Sequence, residues 1–448
     1  MTTIKSKFKG CLLLGAIGDA LGLLTERVKS EDALYKSCGH RNIDQFYDKT
    51  PNRGRFGDQL DTIPAGTYSD DTQLTLAVAR SIQHNGTMDH HYFATQELPL
   101  FPYYKAGAGT STLLAAKNIQ KRSSAWNNNF YHTKKKQFIN TGSNGVAMRI
   151  APIALVFHDD LDLMKENIFG SGIVTHGHPR ALIGAMLYGL IIGQLLNIEP
   201  GDFTPEDFLK DLIDNISSDM KPTFLKKVDF VTWEKTWNET AKPNTFKKEY
   251  NKVLNELVKD LKDLQALFKQ KTSLIAYCDK YNMYNKPNKT NGTNTVLTAL
   301  YNLCINHNSP KDAIVQAVNI IGTDTDTIAG ILGGMLGALH GVDAIPKKWL
   351  GVQDKEYILH MADHLYNILE GAAVAPSANN KHVALDPTDK DKWPNLKKGD
   401  KINIEPLGNG EVIDIVTKHT SHNQPKKVLY FKIKFESGQS CTFKSGWL

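Results

Sequence analysis

A mainly α-helical chain with a small all-β appendage is the fold class predicted, and three observations predict it. Apolar residues recur at helical spacing through most of the first 370 positions, and no β-alternating run competes with them before residue 400. Several short β-rich runs separated by glycine turns then crowd into the C-terminal end of the chain. The length of 448 residues allows about three domains, or one large core with an attachment. With 41% hydrophobic and 22% charged residues, disordered, collagen-like and membrane compositions are excluded. The net charge of +6 permits an anionic partner without demanding one.

The elements follow in order. The apolar run Cys11 to Leu24 is broken by Asp19 and by Gly15, Gly18 and Gly22. It is too short and too polar to span a membrane, and it lacks a signal-peptide cleavage pattern. Five widely spaced cysteines (Cys11, Cys38, Cys278, Cys304 and Cys441) without a CxxC pair argue against a disulfide framework or a zinc ribbon. A soluble cytoplasmic protein in a reducing compartment is expected, with no membrane contact. Leu74, Leu76, Ala77, Val78 and Ile82 mark one helix, and Leu182 through Ile191 another. From Tyr250 to Phe268, apolar residues on one face and lysines and acids between them predict a long amphipathic packing helix. Glycines at 330, 333, 334, 337 and 341 make the helix from Ile328 unusually rich in small residues. Each glycine costs about 1 kcal/mol against alanine in a helix, so that density predicts very close helix packing.

Beyond Glu370, prolines 376, 387 and 394 amid Ala, Ser, Asn and Asp read as a linker. Lys401–Glu405, Glu411–Val416, Val428–Phe435 and Cys441–Phe443 then read as strands of a small barrel. The expected division is a helical domain over 1–372, a linker over 373–394 and a β-barrel domain over 395–448. One apparent insertion, residues 117–137, holds six basic residues and no acid, interleaved with Trp126, Phe130 and Tyr131. A solvated basic loop is the simpler reading; contact with nucleic acid through phosphates and stacked bases is the sharper one.

Three acidic clusters interrupt or introduce apolar helices: Asp19, the pair Asp70 and Asp71 after Ser69, and Asp324 with Asp326 among Thr323, Thr325 and Thr327. Helix capping accounts for one side chain in each cluster but not for two. Carboxylates and hydroxyls are the ligands that hard cations such as Mg²⁺ take, and two facing acidic pairs suit two cations. Gly142-Ser143-Asn144-Gly145 has the small residues that let backbone amides approach an anion, although it is also an ordinary turn. His176 reads as a hydrogen-bonding residue at the edge of a pocket, and His178 as a surface group.

Taken in order, Gly10–Gly22, Gly66–Thr72, Gly107–Thr110, Ser143–Pro152, Thr175–Pro179 and Gly322–Gly330 resemble the ADP-ribosylglycohydrolase family, which removes ADP-ribose from modified targets. The resemblance implies an all-α orthogonal bundle with a binuclear Mg²⁺ centre, Mn²⁺ being an alternative ion. Position by position it implies metal ligation by Ser69, Asp70, Asp71, Asp324, Asp326 and Thr327, with Asp19 supporting the site. Glu26 matches a mobile glutamate that closes over substrate, and Glu26, Asp71 and Asp324 are the expected catalytic carboxylates. Gly107, Gly109, Thr110, Ser143, Asn144, Gly145, Met148 and Arg149 would embrace the diphosphate and ribose, with His176 nearby. Ser69 stands where threonine is commoner and Thr323 where glycine is usual, but the ligating hydroxyl is kept.

The implied activity is cleavage of the glycosidic bond between ADP-ribose and a modified protein, ADP-ribosylarginine included, by a water that Asp71 or Glu26 orients. ADP-ribosylated nucleic acid, a free ADP-ribosyl metabolite, and a non-catalytic ADP-ribose-binding role are the alternatives. The C-terminal runs resemble SH3- or Tudor-like barrels, which commonly bind proteins or nucleic acid; a purely structural cap is the equal alternative. That domain and the 117–137 loop are therefore the expected partner surfaces of a monomer.

Overall fold

Two glycine-rich helices, Ile4–Gly22 and Thr325–His340, cross with their backbones in contact. A Cβ at Gly337 would run into the Gly10 carbonyl, one at Gly333 into the carbonyl of Leu14, and one at Gly18 into that of Ala329. The close packing expected of the small-residue helix is therefore present, and it fixes the Thr325 end against the Asp19 end. Gly337→Ala tests the point. On an exposed helix the change would stabilise by about 1 kcal/mol. Here overpacking reverses the sign, and urea unfolding should show a loss of about 1–3 kcal/mol.

The computed structural model describes residues 2–50, 62–286, 288–374, 382–389, 392–419 and 427–445. Around the central pair lies a layered helical core. Pro179–Leu196 packs beside Gly292–Asn306, so closely that a Cβ at Gly184 would strike the Gly292 carbonyl. Pro179–Leu196 is the one helix among the described residues long and apolar enough to cross a membrane, and 89% of it is buried inside the protein. The predicted amphipathic helix runs Phe246–Lys269 and buries Tyr250, Val253, Leu254, Leu257, Leu261, Leu264 and Leu267 against that core.

The aromatic residues of the 117–137 segment are structural. Trp126 stacks on His90 at 5.0 Å, and Phe130 lies 4.6 Å from the ring of Phe138. Tyr131 is buried and donates its hydroxyl to the Thr175 carbonyl at 3.1 Å. The core takes Tyr131 wholly and Trp126 and Phe130 in part, which leaves these rings little free face for stacked bases. Lys117, Lys121, Arg122, Lys134 and Lys135 remain exposed.

At the C-terminal end, five strands form one sheet in the order β1-β2-β3-β4-β5. They are β1 (Val383–Ala384), β2 (Lys401–Ile404), β3 (Gly408–His419), β4 (Lys427–Phe435) and β5 (Ser440–Lys444). β1 runs parallel to β2 and the later neighbours pair antiparallel, with a bulge between Val412 and Asp414. The β-rich runs predicted for this end thus form one five-stranded sheet, with no ladder between β1 and β5 among the described residues.

The sheet begins earlier than the sequence suggests. Val383 and Ala384, inside the expected linker, pair with Ile402 and Asn403, and Trp393 is buried in the sheet's core. A proline-rich composition concealed them because two residues carry no periodicity. The rest of the expected linker includes residues 375–381 and 390–391, which lie outside the described residues. Nor is the sheet a loose attachment. Leu74, Leu100, Phe101 and Tyr104 of the helical part share one apolar cluster with Trp393, Phe431 and Phe443.

Candidate active site

Two helix N-termini carry the acidic residues to one place. Ser69 caps the helix Asp70–Arg80, its Oγ accepting the Asp71 N–H at 3.2 Å, while Asp324 precedes the helix Thr325–His340. Carboxylates in a first helical turn sit at the positive end of the helix dipole. Asp19, buried on the Ile4–Gly22 helix, accepts the N–H groups of Ser69 and Thr72, each at 3.0 Å, and the Thr72 hydroxyl. It therefore ties the first turn of the Asp70–Arg80 helix to the central pair. The other turn is tied by Thr325, whose hydroxyl donates to the Gly22 carbonyl at 2.9 Å. Asn144 Nδ2 donates to Asp324 Oδ2 at 2.7 Å.

These turns open onto a cavity of about 550 Å³ lined by Glu26, Asp70, Asp71, Asp324, Asp326 and Thr327. Carboxylate oxygens of Glu26, Asp324 and Asp326 lie within 4.8 Å of one another. Burial dominates the electrostatics. Desolvation first, then the charges of Asp19 and Glu26, push Asp70 up to about 7. Asp324 rises to about 6 through burial, opposed by its bond from Asn144. Asp71 and Asp326 lie well above the ordinary carboxylate range for the same leading reason, with neighbouring carboxylates adding to it. Without a positive charge, so many buried carboxylates cannot all ionise.

The donor set fits a hard divalent cation, being carboxylate and hydroxyl oxygens throughout. Asp71 Oδ2 supplies a second indication: it is buried and has no hydrogen-bond partner. Such an orphaned acceptor is costly unless something positive meets it.

Of the expected substrate residues, Gly109, Thr110, Ser143, Asn144, Gly145, Met148 and His176 line the cavity. Gly109 and Thr110 open the helix Thr110–Ile119. His176 is buried, with Ser143 Oγ 3.0 Å from Nε2 and Thr175 Oγ1 2.8 Å from Nδ1. Burial, aided by the Arg149 charge, lowers its pKa well below the usual histidine value and keeps the ring neutral.

Three expected contacts are displaced. Ser69, buried, spends its hydroxyl on the cap and does not line the cavity. Gly107 serves Asp70, because a Cβ there would strike Asp70 Oδ1. Arg149 is fully buried behind the wall, donating to the carbonyls of Gly145 and Ser171 and to Thr175 Oγ1. It holds the Gly145 and His176 segments in place and cannot reach a ligand. His178, read as a surface group, instead caps Pro179–Leu196 by accepting the Arg180 N–H at 3.1 Å. Sequence reasoning missed Arg27, Lys136, Lys286, Lys289 and Thr290 in the cavity wall. The last three lie in an Asn/Lys-rich turn with no motif to mark it.

Comparison with known proteins agrees with this geometry. A family profile described as ADP-ribosylglycohydrolase matches residues 1–374. The chain is 26% identical over 369 residues to an uncharacterized protein of Archaeoglobus fulgidus, covering 82% of this chain and 97% of that one. It is 27% and 26% identical to the ADP-ribosylhydrolases ARH3 of Bos taurus and Homo sapiens, over 77% of this chain and 87% and 88% of theirs. A solved structure titled ADP-ribosylglycohydrolase-related protein complex shares the fold, with a TM-score of 0.53 at 18% identity, covering 82% of this chain and all of that one. The chain thus belongs to the ADP-ribosylglycohydrolase family and is a glycosyl hydrolase acting on ADP-ribosyl bonds.

Proposed function

We propose that this enzyme is a Mg²⁺-dependent hydrolase that releases ADP-ribose from modified proteins, Mn²⁺ substituting for Mg²⁺. The observation that carries the reading is the meeting of two acidic helix N-termini and Glu26 in one cavity with the Ser143–Gly145 turn. Asp70, Asp71, Asp324, Asp326 and Thr327 would hold two ions, with Ser69 capping the turn that carries the first two. Bound there, the ions would supply positive charge to fix ribose hydroxyls and acidify a water.

The chain's own residues provide the rest. The free amides at the start of Thr110–Ile119 and the Ser143–Gly145 turn suit the diphosphate, in line with the anion preference of helix N-termini. Neutral His176 holds the Ser143 hydroxyl in place at that wall without adding charge. Asp71 or Glu26 orients the attacking water and takes its proton. Glu26, with 18% of its side chain exposed and Arg27 Nε 3.0 Å from Oε1, is the group nearer to solvent. The buried carboxylates oppose the positive charge that develops at the anomeric carbon.

The proposal includes a cytoplasmic monomer. Five cysteines without a disulfide, four of them buried, support a reducing setting. The test is a panel of ADP-ribosylated arginine, serine, thymidine and guanosine, each with Mg²⁺ and with EDTA. Release of ADP-ribose from an amino-acid substrate that EDTA abolishes is the expected result. Turnover of the nucleoside substrates alone would replace the protein target, and turnover undiminished in EDTA would remove the metal.

A further inference from the structure

The C-terminal sheet holds the Asp70–Arg80 helix along its whole length. At the entrance to that helix, the buried Tyr68 donates its hydroxyl to Asp354 Oδ2 at 2.9 Å. The same oxygen accepts the backbone N–H of Ser440, on β5, at 2.8 Å. Lys434 Nζ, on β4, lies 3.4 Å from the other oxygen, and the Asp354 side chain is only 2% exposed. Midway, Leu74 enters the sheet's apolar cluster. At the far end Arg80, paired through two nitrogens with the buried Glu97 at 2.7 and 2.8 Å, donates to Gln439 Oε1 at 2.8 Å.

A second path reaches the same turn. Tyr104 packs its ring 5.6 Å from Phe443 of β5. Its carbonyl accepts from Gln73 Nε2 at 3.2 Å, and Gln73 Oε1 accepts the Ala106 N–H at 2.8 Å. The Ala106 carbonyl then accepts the Asp70 N–H at 3.1 Å. Both paths converge on Ser69–Asp71 and start from the Gln439–Phe443 segment. Generic docking of a domain needs only the apolar contact. It does not call for a buried carboxylate shared between a strand amide and a tyrosine two residues ahead of the acidic pair, because a half-satisfied buried carboxylate is costly.

We propose that the sheet is a working part of the acidic centre, with Asp354 the positioning residue that couples Ser440 to Tyr68 and so sets the Ser69–Asp71 turn. This rests on the divalent-cation reading of that centre. Tyr68→Phe removes one hydroxyl and keeps the ring. Asp354→Asn keeps the shape at φ 53°, a left-handed conformation that asparagine tolerates.

In the full chain, Mn²⁺ affinity is measured by calorimetric titration, alongside the melting temperature without cation and activity against Mn²⁺ concentration. Both variants should stay folded and bind Mn²⁺ about tenfold more weakly, the scale on which groups behind metal ligands act. Saturating Mn²⁺ should restore the wild-type kcat. A purely structural role would lower the melting temperature and leave the affinity unchanged. Wild-type affinity in folded Tyr68→Phe therefore overturns the coupling while the cation reading stands. Failure of the wild-type chain to bind Mn²⁺ overturns both. Should Asp354→Asn not fold, Tyr68→Phe decides alone.

Discussion

Asp71→Ala and Asp324→Ala should each reduce ADP-ribose release by about three orders of magnitude or more, the scale of removing a preorganised charge from a reacting centre. Both side chains line the cavity; Asp71 Oδ2 has no partner, and Asp324 accepts from Asn144, whose amide also reaches Thr295 Oγ1. The Asp71 backbone N–H, which Ser69 caps, survives the change, and so does the Asp324 carbonyl that starts its helix. Stability should move the other way. Burial and neighbouring carboxylates already hold Asp71 and Asp324 above the usual carboxylate pKa, so deleting one relieves repulsion. The cation-free variants should therefore melt at or above the wild-type temperature while losing turnover, a stability–activity trade expected of an active site. Circular-dichroism melting beside a product assay checks both halves. Activity within tenfold of wild type in either variant would remove these aspartates from the reaction.

Mg²⁺ should raise the melting temperature more at pH 7.5 than at pH 5.5. In the cation-free protein Asp70 titrates near 7 and Asp324 near 6, both raised from an unfolded value of about 3.9. The folded state thus binds more protons than the unfolded one between pH 4 and 7. Stability from these groups is fully present below pH 4 and is lost as pH rises through 6 and 7. A cation binds the ionised carboxylates and returns that stability where they would otherwise repel. The buried histidines pull in the opposite direction. His90 and His178, lowered to about 4 by burial, gain stability as pH rises from 4 to 6.5. They titrate with and without Mg²⁺ and so cancel in the difference. A Mg²⁺-induced shift larger at pH 7.5 by about 5 °C or more is expected from scanning calorimetry. An equal shift at both values would mean that the cation does not meet these carboxylates.

Much of this was legible from residue order, and the reasons are local. The Phe246–Lys269 helix announces itself because its apolar period matches the helical repeat over six turns. The glycines of Thr325–His340 foretell backbone contact because nothing else offsets their entropy in a helix. The acidic pairs stand out because two adjacent carboxylates exceed what a cap requires. Where the sequence misled, a local signal had two physical outcomes. Trp126, Phe130 and Tyr131 read as part of a solvated basic loop or as a stacking surface, and only the rings of His90, Phe230, Phe138 and Trp233 against them show that they pack on the core. Arg149 sits in a motif beside ligand-facing residues, yet the 3-10 turn Ala147–Arg149 aims it into the core.

By itself, the sequence determined the two-part fold class, the family resemblance and the acidic residues that meet in the cavity, since each depends on residue type and spacing over short stretches. Tertiary structure alone decided which wall each residue faces, brought Lys136, Lys286 and Lys289 to the cavity, and placed Ser440 on Asp354, 86 residues away. Those are meetings between segments distant in the chain. They are set by how helices and sheet pack to bury their apolar faces, which no local period records.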